Sequence, residues 1–249
     1  MEEAIAEFKN YTNNYLKYGK MINLKINHTL RVMNLCERIA ESLNLTEEEI
    51  EVSKIIGLLH DIGRFEQWKN YKTFRDLDSI DHGDYGVEIL KKDNYLKKYI
   101  KDDKYEEIII NSVKYHNKYE IPSNLNEKNY LFIKLIRDAD KIDILYLFVT
   151  KELERIIDSD EINQKIYKSL LNKKSINRKD VKNETDDMAG HLGFVFDINY
   201  KESFKYLNET KYLDSFIDIY KEETNSSKLK EQLEEIRKSI NEYIEVNLC

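Results

Sequence analysis

Four histidines and two aspartates of this chain sit where an ionisable side chain needs a partner. His28 shares a helical stripe with Leu24, Val32, Leu35 and Ile39, so its imidazole is directed into the core. Asp140 has Ile133, Ile136, Ile144 and Leu147 four and seven residues to either side; a carboxylate on such a face must be protonated, ion-paired or bound to metal. Asp138 shares its face with Leu131, Lys134 and Lys141, a more mixed set, so Asp140 is the expected inward group. His116 follows Ile109 and Val113 on another helix, His60 and Asp61 end the apolar run IIGLLHDIG, and His82 opens a helix after the acidic segment SIDHGDYG. Neutral imidazoles and carboxylates together suit Zn, Mn, Fe, Co or Ni, and ligands drawn from separate helices are how metal sites in helical bundles are built.

Each of these residues alone reads more simply as a hydrogen-bonded core group, and one His-Asp dipeptide says little. The joint arrangement is what points to metal. The glycines agree: of seven, Gly57 and Gly63 flank His60-Asp61, Gly83 and Gly86 follow His82, and Gly190 and Gly193 flank His191, leaving only Gly19 away from a histidine. Glycine is used where backbones approach closely or turn sharply.

The elements that must position these groups are helical almost throughout. Apolar spacing predicts helices at roughly 3–18, 23–43, 46–63, 82–92, 103–118, 126–156, 161–172, 201–221 and 227–246, with a loop over 64–81 and an unassigned stretch at 172–199. Thr46 and Glu49 have capping-box spacing at the start of the third helix. The expected fold class is all-α. With Gly 7, Pro 1 and 35% charged residues, the composition disfavours turn-rich sandwiches, barrels and collagen-like repeats, while 41% hydrophobic residues in a chain of 249 supply a core and argue against disorder.

The net charge of -7 comes from interspersed acidic and basic residues, so a nucleic-acid polymer is not an expected partner. No apolar run approaches the roughly 20 residues of a membrane span, and the start MEEAIAEFKN lacks the pattern of a signal peptide. A cytoplasmic protein, monomer or homodimer, is the expectation. Cys36 on an apolar stripe and the terminal Cys249 suggest no disulfide framework.

The order His28, His60-Asp61, Asp140 resembles the HD superfamily of metal-dependent phosphohydrolases. NHTLRVMNLC looks like the superfamily's first-histidine helix, LLHDIGRFEQ like its signature, and RDADKIDIL like its final-aspartate helix. The resemblance spans about 22–150 and implies an HD-like helical bundle as the core of a single 1–249 domain, with a C-terminal helical extension over about 151–249. His28, His60, Asp61 and Asp140 would then hold one ion, and His82 and His116 match the two further histidines of members with two metals, Asp61 bridging. The implied cofactor is one or two divalent transition ions. The implied chemistry is hydrolysis of a small phosphorylated substrate, a nucleotide or phosphomonoester, by a metal-bound hydroxide. His116 is followed by Asn117 and no GYP segment occurs, which disfavours the cyclic-dinucleotide phosphodiesterase subgroup.

Phosphate also needs fixed positive charge, for which Arg64, three residues past Asp61, and Lys141, next to Asp140, are the candidates. Glu66 or Asp84 are candidates for a general acid or for a partner that orients a ligating histidine. His191 is either part of a pocket wall over the metals or a packed core residue. Trp68, Tyr71 and Phe74 either stack on a base or pack the loop down. Two other functions stay open at this point: a di-iron oxygenase, because some HD-superfamily members hold two irons with four histidines and two aspartates, and a non-catalytic ligand-binding module.

Overall fold

The computed structural model describes residues 1–153 and 156–249. Among these residues every regular element is helical. The chain forms two compact units, Met1–Asp140 and Lys141–Cys249.

The first unit contains α1 (Glu2–Asn13), α2 (Lys20–Ser42), α3 (Glu47–Leu59), α4 (Ile62–Tyr71), α5 (His82–Lys91), α6 (Glu106–Tyr115) and most of α7 (Glu127–Val149). Its centre is the α2–α3 pair. The stripe expected on α2 is buried, with Val32, Cys36 and Ile39 at its middle, and Val52, Ile55, Ile56 and Leu59 are buried on α3. The two helices come close because Gly57 has no side chain: a Cβ there would lie 2.8 Å from the Met33 Cα. The start of α3 is capped as its sequence predicts, Thr46 Oγ1 accepting from the Glu49 amide while Glu49 Oε2 accepts from the Thr46 amide.

Several expectations about this unit change. Residues 64–71, expected as the start of a loop, are helical within α4, and α3 stops at Leu59 rather than near Gly63. His60 and Asp61 therefore occupy a joint between two helices, where Asp61 leaves helical geometry at φ -102, ψ 16. An apolar face of Ile62 and Phe65, both fully buried, stabilises the new helix against its neighbours. Trp68 and Tyr71 accordingly lie on α4. Trp68 packs at 4.9 Å from the Phe74 ring and donates Nε1–H to the Tyr18 carbonyl, while Tyr71 is about half exposed. The first helix ends at Asn13, followed by a 3-10 turn at Leu16–Tyr18.

In the second unit, the last residues of α7 are followed by α8 (Gln164–Leu171), α9 (Glu184–Leu192), α10 (Lys201–Thr210), α11 (Tyr212–Glu223) and α12 (Ser227–Leu248). The stretch over 172–199 thus supplies α9 and 3-10 turns at Arg178–Asp180 and Gly193–Asp197. The helix expected over 201–221 is two, because Lys211 adopts the left-handed conformation at φ 55. The stripe Leu229, Leu233, Ile236, Ile240 and Ile244 is buried, and α12 packs on α8, α10 and α11. The helix through Asp140 ends at Val149 instead of 156; residues 154–155 of that expected span lie outside the described residues.

Candidate metal centre

The middle of α2, the joint between α3 and α4, the start of α5, the end of α6 and the middle of α7 bring six side chains together. His28, His60, Asp61, His82 and His116 are each 2% exposed or less, and the Asp140 side chain is 15% exposed. His28 Nε2 and His60 Nε2 are 3.4 Å apart, and Asp140 Oδ1 lies 3.2 Å from the first and 3.6 Å from the second. His82 Nε2 and His116 Nε2 are 2.9 Å apart. Between the pairs stands Asp61. Its Oδ2 is 3.5 Å from His28 Nε2 and 3.6 Å from His60 Nε2, whereas its Oδ1 is 3.4 Å from His82 Nε2 and 3.7 Å from His116 Nε2.

The outward ring nitrogens fix which atoms face the centre. His60 donates Nδ1–H to the Gly57 carbonyl at 2.7 Å and His116 donates to the Val113 carbonyl at 2.8 Å, each within its own helix end. His82 donates Nδ1–H to Asp76, 2.7 Å to Oδ2. In all three the Nε2 lone pair is left pointing inward. Burial pushes the His60 imidazole below its ordinary value, and burial followed by the nearby Arg64 pushes His82 down to about 4, so these rings are neutral near pH 7. Burial by itself would raise the Asp61 carboxyl, but the Lys25 ammonium beside it holds it well below the usual range; Asp140, with His28 and His60 against it, also lies well below that range. Imidazole nitrogens aimed at one another among ionised carboxylates are a donor set for cations. Ligand atoms around one transition ion at about 2.0–2.2 Å stand roughly 3.0–3.5 Å from one another, and the separations here run from 2.9 to 3.7 Å. The residues fit one ion at His28, His60 and Asp61 and another at Asp61, His82 and His116, two groupings whose donor atoms all lie within 4.8 Å of one another. Asp140 Oδ1 adds a carboxylate to the first.

Close packing of glycine makes the convergence possible. A Cβ on Gly63 would lie 2.3 Å from the His82 carbonyl oxygen, so α4 and α5 could not approach with any larger residue there.

Two groups that sequence reading missed complete the centre. Lys25, on α2 and 8% exposed, places Nζ 2.6 Å from Asp61 Oδ2; its position three residues before His28, on the same face of the helix, was the available signal. Asp76, on the segment between α4 and α5, accepts the hydrogen bond from His82 Nδ1–H, and the acidic run leading to His82 was its only trace. The roles considered for Glu66 and Asp84 as partners of a ligating histidine do not match their contacts: Glu66 accepts from Tyr15 and Lys69, and Asp84 pairs with Lys118.

The remaining expected residues divide. Arg64 is at the centre, Nε 3.4 Å from Asp61 Oδ1, with its Nη1 held by Gln67, Asp76 and the Phe74 carbonyl. Lys141 belongs to the second unit, where its ammonium pairs with Asp197 at 2.8 Å over the Phe194 ring. His191, also in that unit, packs between Phe148 and Phe194 and borders a cavity of about 170 Å³ with Met188 and Tyr220. Asp138, placed by its sequence on a mixed face, is fully buried. The cause is that α7 is covered on all sides here, with Leu135, Ile136, Arg137 and Ala139 buried too; the Asp140 side chain, 15% exposed, is the more open of the two.

No curated protein and no solved structure matches the chain significantly. Residues 26–145 match the HD domain family, a span that begins just before His28, contains all six converging side chains and ends just after Asp140. The chain therefore carries an HD domain of the superfamily whose histidine and aspartate order its sequence resembles.

Proposed function

We propose that the protein is a metal-dependent phosphohydrolase in which His28, His60, Asp61 and Asp140 hold one divalent transition ion and Asp61, His82 and His116 hold a second. The observation that carries this reading is the divergence of the Asp61 oxygens, one toward each pair of histidines. Bound ions would activate water and neutralise charge on a phosphoryl group. The chain's own part is preparation: the Nδ1–H bonds keep the Nε2 lone pairs inward, and Lys25 keeps Asp61 ionised and oriented.

The substrate is a small phosphorylated molecule, a nucleotide or a phosphomonoester. Supporting this is the concentration of positive charge around Asp61, where Lys25 and Arg64 both lie within 3.4 Å of the carboxylate and two divalent ions would add four charges more; an anionic ligand answers that field. In this reading Arg64, held by the Asp76 carboxylate, supplies fixed charge to the phosphoryl group. The protein is taken to act in the cytoplasm as a monomer or homodimer. No described helix is long and apolar enough to cross a membrane.

The test is purification without chelator under anaerobic conditions, repletion with Mn, Fe, Co, Ni or Zn, and a phosphatase screen over nucleotides and phosphomonoesters. Metal-dependent phosphate release supports the reading. Oxygen consumption by an iron-loaded protein that releases no phosphate would replace it with an oxygenase.

A further inference from the structure

Asp76 accepts hydrogen bonds from four side chains near the centre. Its Oδ2 accepts from His82 Nδ1 at 2.7 Å and from Asn117 Nδ2 at 3.0 Å. Its Oδ1 accepts from Arg64 Nη1 at 2.8 Å and Gln67 Nε2 at 2.9 Å, both on α4, and lies 2.9 Å from His82 Nδ1. Asn117 directly follows His116. One carboxylate thus joins α4, the start of α5 and the end of α6, the three places from which the second ion's ligands come. Gln67 also donates to Ser79 Oγ and the Ile80 carbonyl, and Arg64 to the Phe74 carbonyl, so the whole segment between α4 and α5 is fastened along the helix that begins at Asp61.

Nothing comparable serves the first ion's histidine on the helix joint: His60 is oriented by its own helix, through the Gly57 carbonyl. His82 differs because it lies in the first turn of α5, where no preceding turn of that helix can supply an acceptor. Its orientation has to come from another segment.

We infer that Asp76 is the positioning residue of the second ion site, fixing His82 in the Nδ1–H tautomer and tying it to Arg64 and Asn117, so that occupancy of the second ion depends on the 72–81 segment while occupancy of the first does not. This rests on the two-ion reading above. It also assigns Arg64 a task besides charge: one of the nitrogens expected to meet substrate anchors Asp76 instead. A carboxylate that accepts the outer proton of a ligating imidazole typically changes metal affinity by about 10- to 100-fold.

The test uses the full chain and zinc as probe. Long-range 1H–15N spectra of the metal-free protein should show His82 protonated at Nδ1, the minority form for a free neutral imidazole, and Asp76→Ala should release it to the Nε2–H form. Zinc titration against a competing chelator should give two ions for the wild type. Asp76→Ala should keep the first and bind the second at least tenfold more weakly, and Asp76→Asn, whose Oδ1 can still accept from His82, should recover part of that loss. Two zinc ions bound with unchanged affinity in Asp76→Ala would overturn the inference and leave the two-ion reading standing. A wild type that binds fewer than two ions overturns the two-ion reading and this inference with it. If Asp76→Ala does not fold, the wild-type tautomer and Asp76→Asn decide: an Nε2–H ring at His82 in the wild type would refute the assignment.

Discussion

The Lys25 ammonium lies 2.6 Å from Asp61 Oδ2, with both side chains at or below 10% exposure. A buried cation therefore neutralises the carboxylate that faces both pairs of histidines. Without it, Asp61 would stand in the core with only imidazoles and the more distant Arg64 about it. Phe74 stacks on the same ammonium at 5.3 Å, closing one side of the pair to water.

Lys25→Met should consequently lower the stability of the metal-free protein by about 3–5 kcal/mol, the cost of stranding one partner of a buried ion pair. Divalent ions should restore most of it, since they provide the missing charge. Chemical denaturation with and without zinc measures both effects; equal stability of variant and wild type in chelator would show that the pair carries no weight.

Asp61→Ala should reduce the affinity for both ions and abolish turnover, whereas His82→Ala should reduce only the second. The distinction follows from the two Asp61 oxygens facing different histidines. Metal analysis of each variant beside its kcat separates them. Identical metal loss in the two would count against a shared carboxylate.

Gly63→Ala should displace α5, because its Cβ would sit 2.3 Å from the His82 carbonyl oxygen and backbone cannot yield as a flexible side chain does. Overpacking of this kind costs about 1–3 kcal/mol, more than the helix propensity gained from alanine. Loss of melting temperature together with loss of the second ion is the expected outcome. A variant as stable as the parent and fully loaded would mean that the two helices separate freely.

The sequence exposed the centre well before it exposed the fold around it. His28 and Asp140 were legible because a polar group on an apolar stripe has few explanations, and the capping box at Thr46 follows from local chemistry alone. The helix over 62–71 was hidden: two polar ligands and a glycine interrupt the apolar pattern there, and the reason the chain resumes as helix is tertiary, the burial of Ile62 and Phe65. Lys25 was hidden because a lysine on a charged chain looks like surface until its partner, 36 residues away, is placed. Asp138 misled for a related reason. Its helical neighbours include lysines, but the stripe argument assumes a helix with a solvent face, and α7 has none at that point.

His191 gives the second unit a distinctive pH response. Burial pushes its imidazole down to about 4, below the ordinary value near 6.5. The unfolded chain then takes up its proton first as pH falls, so stability from this group is present above about pH 6.5, declines between 6.5 and 4, and has no further dependence below. Melting temperatures of wild type and His191→Phe between pH 7 and 4 should converge or cross as the wild type loses the larger share. Parallel curves would place the imidazole's titration near its normal value. Chelated and metal-loaded samples should give the same difference, since His191 is not among the six ligands.

The two Asp61 oxygens, facing different histidines, fix the number and position of the ions expected there. Anomalous scattering from crystals of the zinc- or manganese-loaded protein, recorded above and below the metal edge, locates them without reference to any substrate. Two peaks are predicted, one beside Asp61 Oδ2 among His28, His60 and Asp140, the other beside Oδ1 between His82 and His116. No peak at either position after loading, or metal bound elsewhere with these six side chains unligated, would contradict this assignment.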